Sequence, residues 1–124
     1  MKYLGFAWGG LLVEDLDASV SFYRDVLGLK LLGKGEDWAH FDAGRGALFE
    51  LMSGGKAAPQ PKGPAQQPVI LGLRVDDLHR AVAELKLKGV NFVDEIGEFE
   101  NTSWAHFSDP EGNQLEIKEV PEGS

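Results

Sequence analysis

Cysteine is absent from the 124 residues, which excludes disulfides, thiolate metal ligands and a cysteine nucleophile. No apolar run is long enough to cross a membrane as a helix, since each is interrupted within a few residues. Positive charge is scarce. Twelve Lys and Arg stand against 20 Asp and Glu, a formal net charge of -8, so the phosphates of a nucleic acid would be repelled and a neutral or cationic ligand is favoured. Such acidity also serves solubility alone. No G-x-S-x-G string marks a hydrolase nucleophile, and no glycine loop of P-loop or Rossmann type leads from a strand into a helix. The opening MKYLGFAWGG carries one lysine and no cleavable signal pattern, so a cytoplasmic location is expected.

What is present is an internal repeat. WAHFDAGRGALFEL at 38–51 and WAHFSDPEGNQLEI at 104–117 superpose without a gap, matching Trp, Ala, His, Phe, one Gly and one Glu. VEDLDASV from Val13 and VDDLHRAV from Val75 extend the match, at an offset of 62 residues early and 66 late. A period of half the chain, with Trp, His and Glu in matched places, predicts two supersecondary units related by a pseudo-twofold. With 43% hydrophobic and 26% charged residues, a chain of this size is expected to fold as one globular domain.

Each half reads as β-α-β-β-β. In the first, Phe6 to Val13 suits a glycine-rich strand. Asp15 caps a helix that carries Leu16, Val20, Tyr23 and Leu27 on one face, and Gly28 ends it. Ser19 and Ser21 are expected on the exposed part of that helix. Strands follow at Leu29 to Leu32, Trp38 to Asp42 and Ala47 to Met52, closing a unit over about residues 3–52. Residues 53–68, SGGKAAPQPKGPAQQP, hold four prolines and three glycines and no large aliphatic side chain, so they read as a linker or mobile rim loop. The second unit, about residues 69–119, has strands at Val69 to Val75, Asn91 to Asp94, Ser103 to Phe107 and Gln114 to Glu119. Its helix is capped by Asp77, carries Leu78, Val82 and Leu85, and stops at Gly89. Lys118 to Ser124 reads as a frayed tail, and DPEGN as a turn in which Asp109 and Asn113 bond locally.

Strand alternation places Trp104 and His106 on one face and Ala105 and Phe107 on the other. Glu116 opposes Leu115 and Ile117, and a carboxylate is costly to bury under helices, so Glu116 is expected on the face of Trp104 and His106. By the repeat, Glu50 joins Trp38 and His40. Gly10 and Gly72 would leave room on the first strands. Such a surface has two readings. The indoles are ordinary core residues and each histidine only a cross-strand partner of a glutamate, or the face is a binding wall on which indoles stack with aromatic or cationic groups beside carboxylates.

The tandem β-α-β-β-β, with VEDLDASVSFYRDVLGL in the first half and FSDPEGNQLEI closing the second, resembles the vicinal oxygen chelate superfamily. That group contains glyoxalase I, extradiol dioxygenases, fosfomycin-resistance transferases and bleomycin-resistance proteins. The resemblance implies an α+β fold, a cupped mixed sheet with helices outside, and a site in the cup completed by a homodimer. In the metal-dependent members each first strand and each last strand supplies a ligand. The matching positions here are Trp8, Ile70, Glu50 and Glu116, of which only the glutamates offer a lone pair to a cation.

Two functions from different classes follow. The first is metal-free sequestration of a flat, cationic small molecule, as an antibiotic-resistance protein would perform, by Trp8, Trp38, His40, Ile70, Trp104 and His106. GEDWAHF resembles the drug-stacking segment of bleomycin-resistance proteins. The second is a divergent lyase, isomerase or dioxygenase in which Glu50, Glu116, His40 and His106 hold zinc, nickel, manganese or iron. Without a metal, a glutamate-histidine pair is also a general base for an isomerase.

Overall fold

The computed structural model describes residues 1–123, and Ser124, the end of the expected tail, lies outside them. The chain forms two compact units, one reaching Ala57 and the other starting at Ala58. No helix among the described residues is long and apolar enough to cross a membrane.

The first unit runs β1 (Trp8–Val13), α1 (Leu16–Ser21), a π-helical turn (Phe22–Val26), β2 (Lys30–Lys34), β3 (Trp38–Asp42) and β4 (Leu48–Ser53). Its sheet has the order β1-β4-β3-β2. β1 runs parallel to β4 and the other pairs are antiparallel. Asp15 caps α1 by accepting the Ala18 N–H at 3.0 Å. The helix does not stay α-helical to its end. Leu27 N–H bonds back to Phe22 C=O at 2.9 Å, a five-residue step, before Gly28 closes the turn at φ +82°. The wider turn seats Tyr23, fully buried, 4.9 Å from the Phe49 ring. Ser19 corrects the expectation above. It lies three residues after Leu16 and four before Tyr23, on the apolar stripe, and is 1% exposed, with no hydrogen-bond partner found for its hydroxyl. Ser21 is exposed as expected.

The second unit runs β5 (Leu71–Arg74), α2 (Leu78–Leu87), β6 (Asn91–Phe92), β7 (Gly97–Phe99), β8 (Thr102–Ser108) and β9 (Gln114–Glu119). The order is β5-β9-β8-β6, with β7 also on β8. β7 was not foreseen: it folds back through Glu100 and Asn101, both left-handed at φ 48° and 66°, in a segment with no apolar alternation to announce it. β5 is shorter than Val69 to Val75, so Ile70 precedes the strand and is 51% exposed.

Both sheets bury one face. Ala39, Phe41, Phe49 and Leu51 in the first unit, and Ala105, Phe107, Leu115 and Ile117 in the second, are all at most 2% exposed. They alternate with the Trp, His and Glu positions, which therefore occupy the opposite face.

The proline-rich stretch, expected as a linker or mobile rim loop, contains the boundary between the two units, and from Ala58 on it is hydrogen-bonded within the second. Ala58 N–H bonds Glu111 C=O at 2.9 Å, Lys62 N–H bonds Gly112 C=O at 2.8 Å, and the Gln67 amide exchanges bonds with the Gln114 backbone at 2.7 and 2.8 Å. Extended, proline-rich backbone keeps its remaining N–H groups free for such a strap. The C-terminal stretch is likewise tied. β9 continues through Glu119, whose carboxylate accepts the Leu78 N–H at 2.8 Å, and Arg74 donates to the carbonyls of Val120 and Pro121. The DPEGN turn is closed by Asp109, 5% exposed, which accepts the backbone N–H groups of Glu111 and Asn113 at 2.9 Å each.

Candidate functional site

In the first unit, register brings Gly10, Glu50 and His40 into one row across β1, β4 and β3. Glu50 Oε2 meets His40 Nε2 at 3.1 Å, and its Oε1 accepts the Trp8 indole N–H at 2.9 Å. Trp8 reaches that oxygen by lying over Gly10, where a Cβ would collide with the indole. Trp38 lies against Gly33 and Gly35 and tilts over the His40 ring, centroids 4.7 Å apart. Trp8 is 50% and Trp38 38% exposed. They are not core residues: Trp38 and His40 stand beside Glu50, as the repeat implied, and Trp8, at the first-strand position that the family resemblance singled out, joins them.

In the second unit Gly72, Glu116 and His106 form the matching row. His106 Nε2 is 3.1 Å from Glu116 Oε2. Trp104 lies against Gly97 of β7, which has room for it only because it lacks a Cβ. Ile70 stands before β5 and makes no indole-like bond to Glu116, so here the two halves differ.

They differ also in Asp94, which the sequence reading missed. Asp94 Oδ2 lies 2.6 Å from His106 Nδ1, and its Oδ1 accepts the His106 backbone N–H at 2.9 Å. The second contact explains why β6 stops at Phe92: beyond Val93 the carboxylate of Asp94, not the backbone, pairs with β8. In the first unit Gly33 occupies the equivalent register position, opposite His40. The available signal was an acid in the second copy where the first has glycine. Because carboxylates only accept, contacts at both His106 nitrogens need either a doubly protonated ring or a proton on one carboxyl group. Asp94→Ala removes the acceptor of the backbone N–H and of Nδ1 together. A loss of about 1–3 kcal/mol in a denaturant melt is expected, with displaced 15N signals for the His106 ring and unmoved ones for His40. Unmoved His106 signals would show the contact to be absent in solution.

The donor set does not suit the metal site of the metal-dependent proteins that the chain resembles. Trp8 spends its only polar hydrogen on Glu50 and Ile70 has no donor atom, so each unit lacks a first-strand ligand. Each glutamate is in contact with its histidine. Among the described residues no three His, Asp or Glu side chains are grouped to hold one ion.

Two β-α-β-β-β units with these matched rows define the class of the tandem-repeat chelate folds. Residues 5–117 match the Glyoxalase/Bleomycin resistance protein/Dioxygenase superfamily, and the chain belongs to it. It is similar to the uncharacterized protein YraH of Bacillus subtilis, 34% identical over 120 residues that cover 86% of this chain and 91% of that one. It is also similar to a probable lactoylglutathione lyase of Vibrio cholerae, 31% identical over 118 residues covering 86% and 84%. Among solved structures, a putative glyoxalase family protein from Bacillus anthracis superposes with a TM-score of 0.76 at 17% identity, covering 98% of this chain and 99% of that one. A lactoylglutathione lyase from Agrobacterium tumefaciens gives 0.74 at 20% identity with 96% of each chain covered. At such identities these two likenesses speak to the fold.

Proposed function

We propose that the protein is a small-molecule-binding member of its superfamily, holding a flat, cationic ligand against the aromatic, acidic face of its first unit without a metal in the conventional place. The observation that carries this reading is the pair of half-exposed indoles, Trp8 and Trp38, on either side of the Glu50–His40 contact. An indole attracts a cation through the negative potential of its ring face, and a neighbouring carboxylate adds to that attraction in a partly dehydrated site. The second unit carries its own matching face, with Trp104 and His106 on it and Ile70 before its first strand. The protein is taken to sequester its ligand in the cytoplasm, in the manner of an antibiotic-resistance protein, and to act as a homodimer.

The name lactoylglutathione lyase, borne by relatives, supplies the second reading, an enzyme using Glu50, Glu116, His40 and His106 with a divalent zinc, nickel, manganese or iron ion. Against it stand Trp8 and Ile70.

One preparation tests both. Protein purified without added metal is assayed for metal, run on gel filtration and titrated calorimetrically with proflavine, a planar cation. Binding that withstands chelator and weakens about tenfold in Trp38→Ala is expected from the loss of one stacking surface. Stoichiometric metal that disappears in Glu50→Ala and Glu116→Ala would replace this reading with the enzyme, and a lone monomer peak would end the dimer proposal.

A further inference from the structure

The two faces carry different chemistry one row away from the glutamates. In the first unit that row is Trp38, Met52 and Leu12, aromatic and apolar. In the second it is Trp104, Lys118 and Arg74, an indole followed by two cations on neighbouring strands. Lys118 Nζ sits 5.4 Å from the centre of the Trp104 ring, so this indole already carries a positive charge of its own chain. Like charges directly opposite on paired strands destabilise a sheet. In a chain of net charge -8, Lys118 and Arg74 nevertheless form no ion pair among the described residues, whereas Arg24, Lys34 and Arg80 each meet a carboxylate. Arg74 spends one terminal nitrogen on the carbonyls of Val120 and Pro121, at 3.3 and 3.1 Å, which positions the guanidinium without neutralising it.

We propose that Trp104, Lys118 and Arg74 form an anion subsite on the second unit, which takes the carboxylate of a flat aromatic ligand. The ring of the ligand lies along Trp104, and the carboxylate bridges the Lys118 ammonium and the free edge of the Arg74 guanidinium. Binding then neutralises Lys118 and Arg74, which stand opposite each other one row from Glu116. The inference shares with the proposed function only the premise that these faces bind small molecules. It adds a ligand class that an acidic first face would not itself select.

The test is calorimetric titration of the full chain with 1-naphthoate, its neutral amide 1-naphthamide, and 1-naphthyl phosphate, with melting temperature recorded for every variant. Naphthoate is expected to bind about tenfold tighter than naphthamide. Lys118→Gln and Arg74→Gln should each remove most of that preference, Lys118→Arg should retain it, and the preference should shrink as salt is raised. Phosphate bound more tightly than carboxylate, and lost in the same variants, upholds the subsite and assigns phosphate as its anion. Equal binding of naphthoate and naphthamide, no naphthoate binding at millimolar concentration, or full naphthoate affinity in the Lys118→Gln, Arg74→Gln double variant overturns it. Proflavine binding that survives in that double variant leaves the proposed function standing whatever the naphthoate result.

Discussion

Phe41→Ala is expected to lower stability by about 3–5 kcal/mol, the range for removing a fully buried phenyl ring. Phe41 is completely buried, pairs across the sheet with Phe49, and lies 6.4 Å from the Tyr23 ring and 6.1 Å from that of Phe49. Tyr23 is fixed by the π-helical turn and cannot follow the lost ring inward without unwinding Leu27 from Phe22. The cavity should therefore stay open, which places the cost toward the top of the range. For a domain whose total stability is about 5–15 kcal/mol, that is a large fraction, and a fall in melting temperature of roughly 10 °C or more should be seen by circular dichroism. Trp38→Ala is the control, three residues earlier on the same strand but on the other face. Its indole is 38% exposed, so its removal should cost clearly less. Equal losses from the two variants would refute the assignment of one face to packing and the other to binding.

That division of faces is legible in the sequence alone, because it depends on a two-residue period that a strand cannot escape. WAHF sets Trp and His on one face and Ala and Phe on the other in both copies, and a one-residue slip would have buried His40 and Glu50 while exposing Phe41 and Phe49. The α+β repeat was equally legible, since Asp15 and Asp77 cap helices at matched positions and Gly28 and Gly89 end the helical segments at φ +82° and +85°. Less of the site itself could be read. The row formed by Gly10, Glu50 and His40 follows from register, but the reach of Trp8 to Glu50 depends on an indole lying down over Gly10, a side-chain choice that no spacing encodes. Asp94 was hidden because its partner is a backbone N–H of another strand, a long-range bond with no periodic signature. β7 was hidden for a related reason. Its three residues pair only because the left-handed Glu100–Asn101 turn returns the chain along β8, and Gly97 is needed there so that Trp104 can lie flat. Ser19 was misplaced because its hydroxyl suggested the solvent side, while its spacing from Leu16 and Tyr23 put it on the buried stripe.

The differences between the copies bear on function more than their likeness does. Glu50 and Glu116 occupy the same place in their units, yet Glu50 is bound by an indole and a histidine, and Glu116 by a histidine that is itself held by Asp94. A symmetric metal site would need the same donors twice. What the chain has kept twice is the glutamate-histidine contact and an indole seated on a glycine, and it has altered what surrounds them.

Gly112→Ala tests the hydrogen-bonded strap that residues 58–68 form against the DPEGN turn. Gly112 has φ +84°, and a Cβ there would point at the carbonyl oxygens of Gln60 and Ala58, well inside contact distance of the first. The substitution therefore combines a left-handed backbone, about 1 kcal/mol for a residue with a side chain, with overpacking against backbone that cannot rotate aside, about 1–3 kcal/mol. A total near 2–4 kcal/mol is expected if the strap stays in place. The strap has an alternative, which is to let go. Lys62 N–H would then leave Gly112 C=O, and the Lys62 carbonyl would leave the Gln114 amide, now at 2.6 Å. Hydrogen exchange separates the two outcomes: release would expose the Ala58 and Lys62 amides to fast exchange in Gly112→Ala while Asp109 still protects Asn113. Gly63→Ala serves as the comparison, because a Cβ there meets nothing within 4 Å and its backbone is not left-handed. Were Gly112→Ala as stable as Gly63→Ala, with those amides exchanging freely in the unaltered protein too, residues 53–68 would be the mobile loop that their prolines first suggested.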